Sequence, residues 1–360
     1  MRLRHATTPT LLPVVLFLAA GAGFSATFLG GTFTIDLPNQ FVAGQPARAA
    51  DVNANFDTIV GAVENRAADV DARFDEISDP ENLIVVSAAG GDFTSVAAAL
   101  DSITSASATN RFLVHVGPGV YEETQTSTVP SFVTLRGAGP NATVVRTSLG
   151  GASAGAGTTT VVLETEGAIE DISIENDGAS QNSFAISGTG LSRETRIANV
   201  VARCDGSAGI GHTAISVLES NVTVIDCVLS ASGGSTVNAG FASIDSGGIF
   251  AAPLLRGCEI DAEGASTGIG VFVSRNNASL VDCNVTGDSR AMSANGFGTS
   301  TIRHCRMATA NSSTPVYEQT NLAEIHSGFV QVFGDNPQGA SFRFRFRFCI
   351  DNNFNEFTGN

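Results

Sequence analysis

Six short stretches of the chain lie over one another: AIEDISI (168–174), RIANVVA (196–202), TVIDCVL (223–229), LLRGCEI (254–260), SLVDCNV (279–285) and TIRHCRM (301–307). Their aligned centres are Ile172, Val200, Cys227, Cys258, Cys283 and Cys305, separated by 28, 27, 31, 25 and 22 residues. A self-similar unit of this length, made of short strands and turns, predicts a coiled solenoid in which each turn buries its inward side chains against the next. Variable spacing is expected there, because an insertion bulges outward without disturbing the stack. A sandwich, the alternative, calls for hairpins with two-residue Asn-Gly turns, which are scarce here. The expected fold is all-β, a right-handed parallel β-helix over residues 80–350, with a tail at 351–360.

A second strand is expected in each unit, marked by a small residue before an apolar one: Ala185-Ile186, Ala214-Ile215, Gly248-Ile249, Gly268-Ile269 and Ala291-Met292. Cys227, Cys258, Cys283 and Cys305 should form one inward column. Neighbouring coils lie about 4.8 Å apart, which admits a disulfide by its Cα spacing but is wide for its Cβ atoms. Buried free thiols and an adjacent-coil disulfide both remain open. No Cys-x-x-Cys pair occurs and the five His are scattered, so no zinc site is expected. Just before the column stand Asp171, Asn199, Asp226, Gly257, Asp282 and His304, which strand alternation turns outward. They read as a solvated face; the sharper reading is a ridge for Ca²⁺ or a sugar.

The 360 residues carry 19 Lys+Arg, all of them Arg, against 35 Asp+Glu, a net charge of −16. This excludes a general nucleic-acid binder, which needs a basic surface. With 43% hydrophobic and 15% charged residues the chain has the means to bury a core.

Arg2, Arg4 and His5 precede the apolar run Leu11–Ala22, and Ala20-Gly21-Ala22 offers a small-x-small cleavage pattern. Residues 1–26 are therefore expected to be a secretory signal peptide, with a retained membrane anchor as the alternative. No membrane span is expected after cleavage, and the protein should be secreted or displayed at the cell surface. A linker (27–50) precedes an amphipathic helix at 51–79, where Val52, Phe56, Ile59, Val63, Val70 and Ile77 share one seam with Arg66 and Arg73. This helix either docks on its own chain or forms a coiled-coil homo-oligomer, most plausibly a trimer, through residues 52–77.

Three segments carry a family resemblance: IVVSAAGGDFTSVAAALD (84–101), FLVHVGPGVYEE (112–123) and VTLRGAGPNATVV (133–145). They resemble the entrance of pectin methylesterases and related members of the pectin-lyase-like superfamily. In that family a Gly-Asp-Phe turn leads into a capping helix, followed by strands ending in Pro-Gly-x-Tyr-x-Glu and Gly-x-Gly-Pro. The resemblance implies a lid over the first coil, with Asp92-Phe93-Thr94 starting a helix that covers the core with Val96, Ala97 and Leu100. It continues faintly through 173–188, where Asn182 stands at the position of a family Gln.

The catalytic motifs of the esterases are missing. Gln-Asp-Thr and Asp-Phe-Ile-Phe-Gly have no counterpart, Arg-x-Trp is impossible in a Trp-free chain, and Asp245 in SIDSGGIF (243–250) is a superficial echo. Lyase chemistry needs clustered Ca²⁺-binding acids and a base, whereas Arg193, Arg196, Arg203, Arg256, Arg275 and Arg290 are scattered. No catalytic, cofactor-binding or metal-binding residue is assigned, and no cofactor beyond a weak case for Ca²⁺. The expected function is a non-catalytic structural or carbohydrate-contacting β-helix with polysaccharide as its partner. A divergent pectinesterase-like enzyme or polysaccharide lyase is the alternative, since the fold alone does not confer function.

At the far end, SFRFRFRF (341–348) alternates Phe with Arg343, Arg345 and Arg347. It is expected to close the last coils, the Arg row guarding the edge; a cationic stripe for an anionic glycan is the sharper reading. Cys349 follows with no obvious partner.

Overall fold

The computed structural model describes residues 24–28, 31–35, 39, 48–61, 82–246, 251–264, 266–310, 315–328, 330–333, 344–347, 349–350 and 356–357. The chain forms two compact units, Met1–Asp79 and Pro80–Asn360.

The second unit is a right-handed parallel β-solenoid of about 8 turns. Each turn contributes one strand to each of three parallel sheets, here A, B and C. In sheet A, Ile169 pairs with Ile197, Ile197 with Val224, Val224 with Leu255, Leu255 with Leu280 and Leu280 with Ile302. Sheet B stacks Ile174, Ala202, Leu229, Ile260, Val285, Met307 and Val332. Sheet C stacks Ile186, Ile215, Phe241, Val271, Met292 and Tyr317. All of these side chains are buried in one core. Stacking like on like explains why the repeat shows in the sequence: each aliphatic side chain removed from water is worth about 1.5–3 kcal/mol, and its partners are its own register mates.

The second-strand register differs from the sequence expectation in two turns. Gly240-Phe241 and Gly270-Val271, not Gly248-Ile249 and Gly268-Ile269, join Ala185-Ile186, Ala214-Ile215 and Ala291-Met292. In GIGV (268–271) the small–apolar pair occurs twice, two residues apart, and alternation cannot separate the two. Gly248 and Ile249 lie outside the described residues, beyond the strand Val237–Ile244.

The row Asp171, Asn199, Asp226, Gly257, Asp282 and His304 is solvent-facing as expected, but for another reason. Every member has positive φ, between 50° and 65°. These residues form the left-handed corner that turns sheet A into sheet B, and the residue types are those that tolerate this conformation. The ladder continues through the corner: the Asp226 N–H donates to the Arg256 carbonyl (2.9 Å), that of Gly257 to Val281 (3.0 Å) and that of Asp282 to Arg303 (3.0 Å). Just inside the corner, Cys227, Cys258, Cys283 and Cys305 form the expected inward column, 1–2% exposed, as free thiols.

The entrance is closed by helix Val96–Asp101, whose Val96, Ala97, Ala99 and Leu100 are buried. Its N-cap is Ser95, not Asp92-Phe93-Thr94. Asp92 instead holds the preceding turn, its carboxylate accepting from the Val85 N–H at 2.8 Å. The Glu123 carboxylate accepts from Ser95 Oγ (2.9 Å) and the Val96 N–H (2.6 Å), placing a negative charge on the helix N-terminus. Tyr121 is buried beneath, its hydroxyl donating to the Gly117 carbonyl at 3.0 Å. The Pro-Gly-x-Tyr-x-Glu resemblance is thus a structural device, with the Tyr filling the first coil and the Glu holding the lid.

At the far end, Phe344–Arg347 runs parallel to Ile325–Gly328, adding a rung to the stack as expected of SFRFRFRF.

In the first unit, Phe24–Phe28 pairs antiparallel with Gly31–Ile35, so the expected signal–linker boundary carries a hairpin. A helix spans 49–61. Asn55 within it clasps Asn39, accepting from its N–H (2.9 Å) and donating Nδ2–H to its carbonyl (2.8 Å). The expected helix at 51–79 is described as far as 61; residues 1–23 of the expected signal peptide and 62–79 of the helix lie outside the described residues. Among the described residues no helix is long and apolar enough to cross a membrane.

Candidate functional site

A solenoid offers its binding chemistry on the outside, because its inside is packed. Outward positions of sheets A and B are occupied by ion pairs between register mates. Glu170 accepts from Arg136 and from Arg196 (3.1 Å), and Arg146 bridges Glu175 (2.6 Å) and Glu122 (3.2 Å). These exposed pairs tie the first coils together, while further along Arg203, Arg256 and Glu259 stand exposed on the same faces.

Sheet C differs. Its strands Ser127–Val129, Thr159–Leu163, Asn182–Thr189, Gly211–Leu218, Val237–Ile244 and Thr267–Ser274 contain no Asp, Glu or Arg. One outward row runs Phe184, Thr213, Ala239, Ile269, Arg290; the next runs Val162, Ser187, Ser216, Ala242, Phe272, Ser293, Glu318. The first charges appear at the end of these rows, where Arg290 Nε lies 2.9 Å from Glu318 and Ser293 Oγ donates to the same carboxylate at 3.3 Å. The face is one of hydroxyls, small apolar groups and two half-buried aromatic rings, Phe184 and Phe272.

Of the residues singled out by sequence, Arg290 lies at the end of this face and the others do not converge on it. Asn182 is tied to the loop at the rim of sheet C, its Nδ2 donating to the Ala152 carbonyl at 3.1 Å, with a backbone bridge to Gly151. Asp245 follows the strand Val237–Ile244 and is 4% exposed, its N–H donating to the Ser274 carbonyl. Arg196 and Arg256 belong to sheet A, Arg203 to sheet B, and Arg275 lies beyond the end of Thr267–Ser274.

Sequence reading missed a polar cluster inside the corner between sheets B and C. His212 is fully buried, with Nδ1 3.5 Å from Cys204 Sγ, and that thiol donates to the Ser183 carbonyl at 3.0 Å. Burial pushes the Cys204 thiol up and lowers the His212 pKa, so both groups are neutral. A thiol held protonated is not a nucleophile. The ring is walled in by Gly206, Gly209 and Gly234, whose absent Cβ atoms would meet it at 2.8, 3.2 and 2.9 Å. The signal was in the sequence: glycine-rich corners (205–211, 232–234) beside a histidine that alternation points inward.

On the outside of that corner Asp261 is pushed up to about 6, by burial first and then by Glu263 and Asp288. Among the described residues no group of three or more His, Cys, Asp or Glu is placed to hold a metal ion.

No protein-family model matches this chain, and no curated protein does. Among solved structures it is similar to the pectate lyase Pel9A, at 12% identity over 76% of this chain and 78% of that one, with a TM-score of 0.51. ORF18 of Geobacillus virus E2 is also similar, at 12% identity over 89% and 68% with a TM-score of 0.51. A pectin methylesterase from carrot reaches 14% identity over 73% and 87%, with a TM-score of 0.49. The fold is that of the pectin-lyase-like parallel β-helix, and at these identities the likeness is one of fold.

Proposed function

We propose that this chain is an exported, non-catalytic β-helix module whose sheet C face contacts a neutral polysaccharide. One observation carries the reading: from Ser127 to Ser274 the strands of sheet C hold no Asp, Glu or Arg. Glycoside hydrolysis and pectinesterase-type ester hydrolysis need carboxylates in opposed protonation states beside a charged partner. The Arg290–Glu318 pair supplies one carboxylate, already neutralised. What the face offers instead, the half-buried rings of Phe184 and Phe272 with Thr213 beside Phe184, suits a sugar: C–H faces stack on rings and a hydroxyl exchanges hydrogen bonds. An uncharged face within a chain of net charge −16 selects against a polyanion such as unesterified pectin.

Assays on methyl-esterified and unesterified pectin, with and without Ca²⁺, are expected to show no turnover; turnover on either overturns the reading. Binding to neutral glycans is expected to weaken in Phe184→Ala and Phe272→Ala; unchanged binding removes the face from the proposal.

Oligomerisation through residues 52–77 belongs to the same reading. Phe56 and Val60, one turn apart on the 49–61 helix, are 60% and 51% exposed, an apolar stripe of the kind a second copy covers. A monomer by sedimentation at micromolar concentration overturns it.

A further inference from the structure

Four cysteines in four successive coils are more thiol than a core needs, and their sulfurs are not placed at random. Cys227 Sγ lies 3.6 Å from the Ile197 carbonyl, Cys258 Sγ 3.7 Å from that of Val224, and Cys283 Sγ 3.6 Å from that of Leu255. Each contacted carbonyl belongs to the preceding coil, and each sulfur also lies nearer a carbonyl of its own coil, 3.1 Å from Ile225 for Cys227, 3.4 Å from Arg256 for Cys258 and 3.3 Å from Val281 for Cys283, so every sulfur sits between two coils. Cys305 touches the preceding cysteine directly: its Sγ accepts a hydrogen bond from the Cys283 backbone N–H at 3.3 Å. Register pairing holds the flanking residues of each coil opposite each other, Val281 with Arg303 and Asn284 with Arg306, and Ile225 with Arg256 and Val228 with Glu259. The Cα atoms therefore sit one strand spacing apart, about 4.8 Å, within the range of disulfide-bonded cysteines.

We propose that the column is a pairwise oxidation site, at which Cys283 closes a disulfide with Cys305 and Cys227 closes a second with Cys258. The alternative middle pair, Cys258–Cys283, would strand a thiol at each end of the column and leave the Cys283–Cys305 contact unused. Within the Cys283–Cys305 pair one sulfur attacks the oxidant and its neighbour resolves the mixed disulfide. The oxidant is a small disulfide such as oxidised glutathione, which meets the buried column only when neighbouring coils open locally. It forms a mixed disulfide with the attacking sulfur and releases one thiol; the neighbouring sulfur then displaces the second thiol, so each protein disulfide gives up two protons and two electrons. Because in-register Cβ atoms stand wider than a relaxed disulfide allows, the bonds are strained and readily reduced. They cross-link adjacent coils directly, so oxidation stiffens the middle of the solenoid against unwinding from either end.

The experiment uses the full chain, incubated with oxidised glutathione, then unfolded, alkylated and mapped by peptide mass spectrometry without reductant. The expected result is two linked peptide pairs, Cys283–Cys305 and Cys227–Cys258, with Cys204 alkylated and a melting temperature above that of the reduced protein. Cys305→Ser is expected to leave Cys227–Cys258 in place and Cys283 alkylated. All four thiols alkylated after oxidation, a dominant Cys258–Cys283 link, or a link to Cys204 overturns the proposal. If Cys305→Ser fails to fold, the wild-type map still decides, because each pairing gives a distinct linked mass.

Discussion

Replacing Asp226 by Val separates two accounts of the polar row that ends each sheet A strand. Asp226 is exposed, and if it were an outward strand residue, a β-branched side chain would leave stability unchanged or raise it. Its φ is 52°, however, and its N–H donates to Arg256 of the next coil, so the residue is a left-handed corner locked into the ladder. Left-handed φ costs an ordinary L-residue about 1–2 kcal/mol, more for a β-branched one, and Asp escapes part of that penalty. Asp226→Val is therefore expected to lose about 1–3 kcal/mol, while Asp226→Gly, which relieves the corner, is expected to stay within about 1 kcal/mol of the parent. In a unit of this size each kcal/mol moves the midpoint by roughly 2–4 °C, so the two variants should melt several degrees apart. The assay is thermal unfolding followed by far-ultraviolet circular dichroism, both variants measured against the parent in reductant. A Val variant melting at or above the parent would refute the corner assignment. The row would then return to the plain outward strand face that alternation suggested.

The other predictions concern the core, the lid and pH. Phe241→Ala empties the sheet C stack between Ile215 and Val271 and is expected to cost about 3–5 kcal/mol, read as a lowered denaturation midpoint. Glu123→Ala removes the charge that holds the lid helix and is expected to cost about 1–2 kcal/mol, with faster amide exchange confined to 96–101 and the first coil. Burial lowers the His212 pKa, so the unfolded state binds a proton more tightly than the folded one. Its contribution is whole above about pH 6.5 and is lost as pH falls, by at most about 1.4 kcal/mol per pH unit. His212→Gln should flatten that part of the stability–pH curve. Asp261 runs the other way: its folded pKa of about 6 is raised, so stability is lost as pH rises through about 4 to 6. Asp261→Asn is expected to gain about 1 kcal/mol at pH 7.5 and nothing at pH 4.

The architecture was legible because the solenoid stacks each residue on its own repeat: Ile197, Val224 and Leu255 touch one another in space as they line up on the page. What resisted reading was local. Alternation places a residue on a face but says nothing about φ, so the Asp/Asn/Gly/His row was seen as outward while its corner geometry went unseen, although those four residue types in register are its signature. A two-residue ambiguity in GIGV slipped past for the same reason: period-2 patterns are blind to shifts of two. The Gly-Asp-Phe turn suggested the lid, but its cap is Ser95, because the carboxylate that seats the helix comes from Glu123, a strand away.

The distribution of resemblance bears on function more directly than its strength does. The segments most like pectin methylesterases, 84–101, 112–123 and 133–145, build the lid, the Tyr121 plug and the first corners, devices any β-helix needs to begin. Sheet C from Asn182 to Ser274 holds a continuous backbone register and fills its outer face with Ser, Thr, Ala, Ile and Phe. Selection for catalysis holds charged groups in place against the cost of desolvating them; selection for stacking holds only volume and register. On that reasoning, introducing one Asp at Ser187 and another at Ser216 should leave the protein inert toward pectin. It should also lower its stability, since two carboxylates one strand spacing apart on a nearly buried face have no cation beside them. Any esterase activity in that double variant, measured as methanol release, would mean that the face retains a catalytic framework the wild-type side chains conceal.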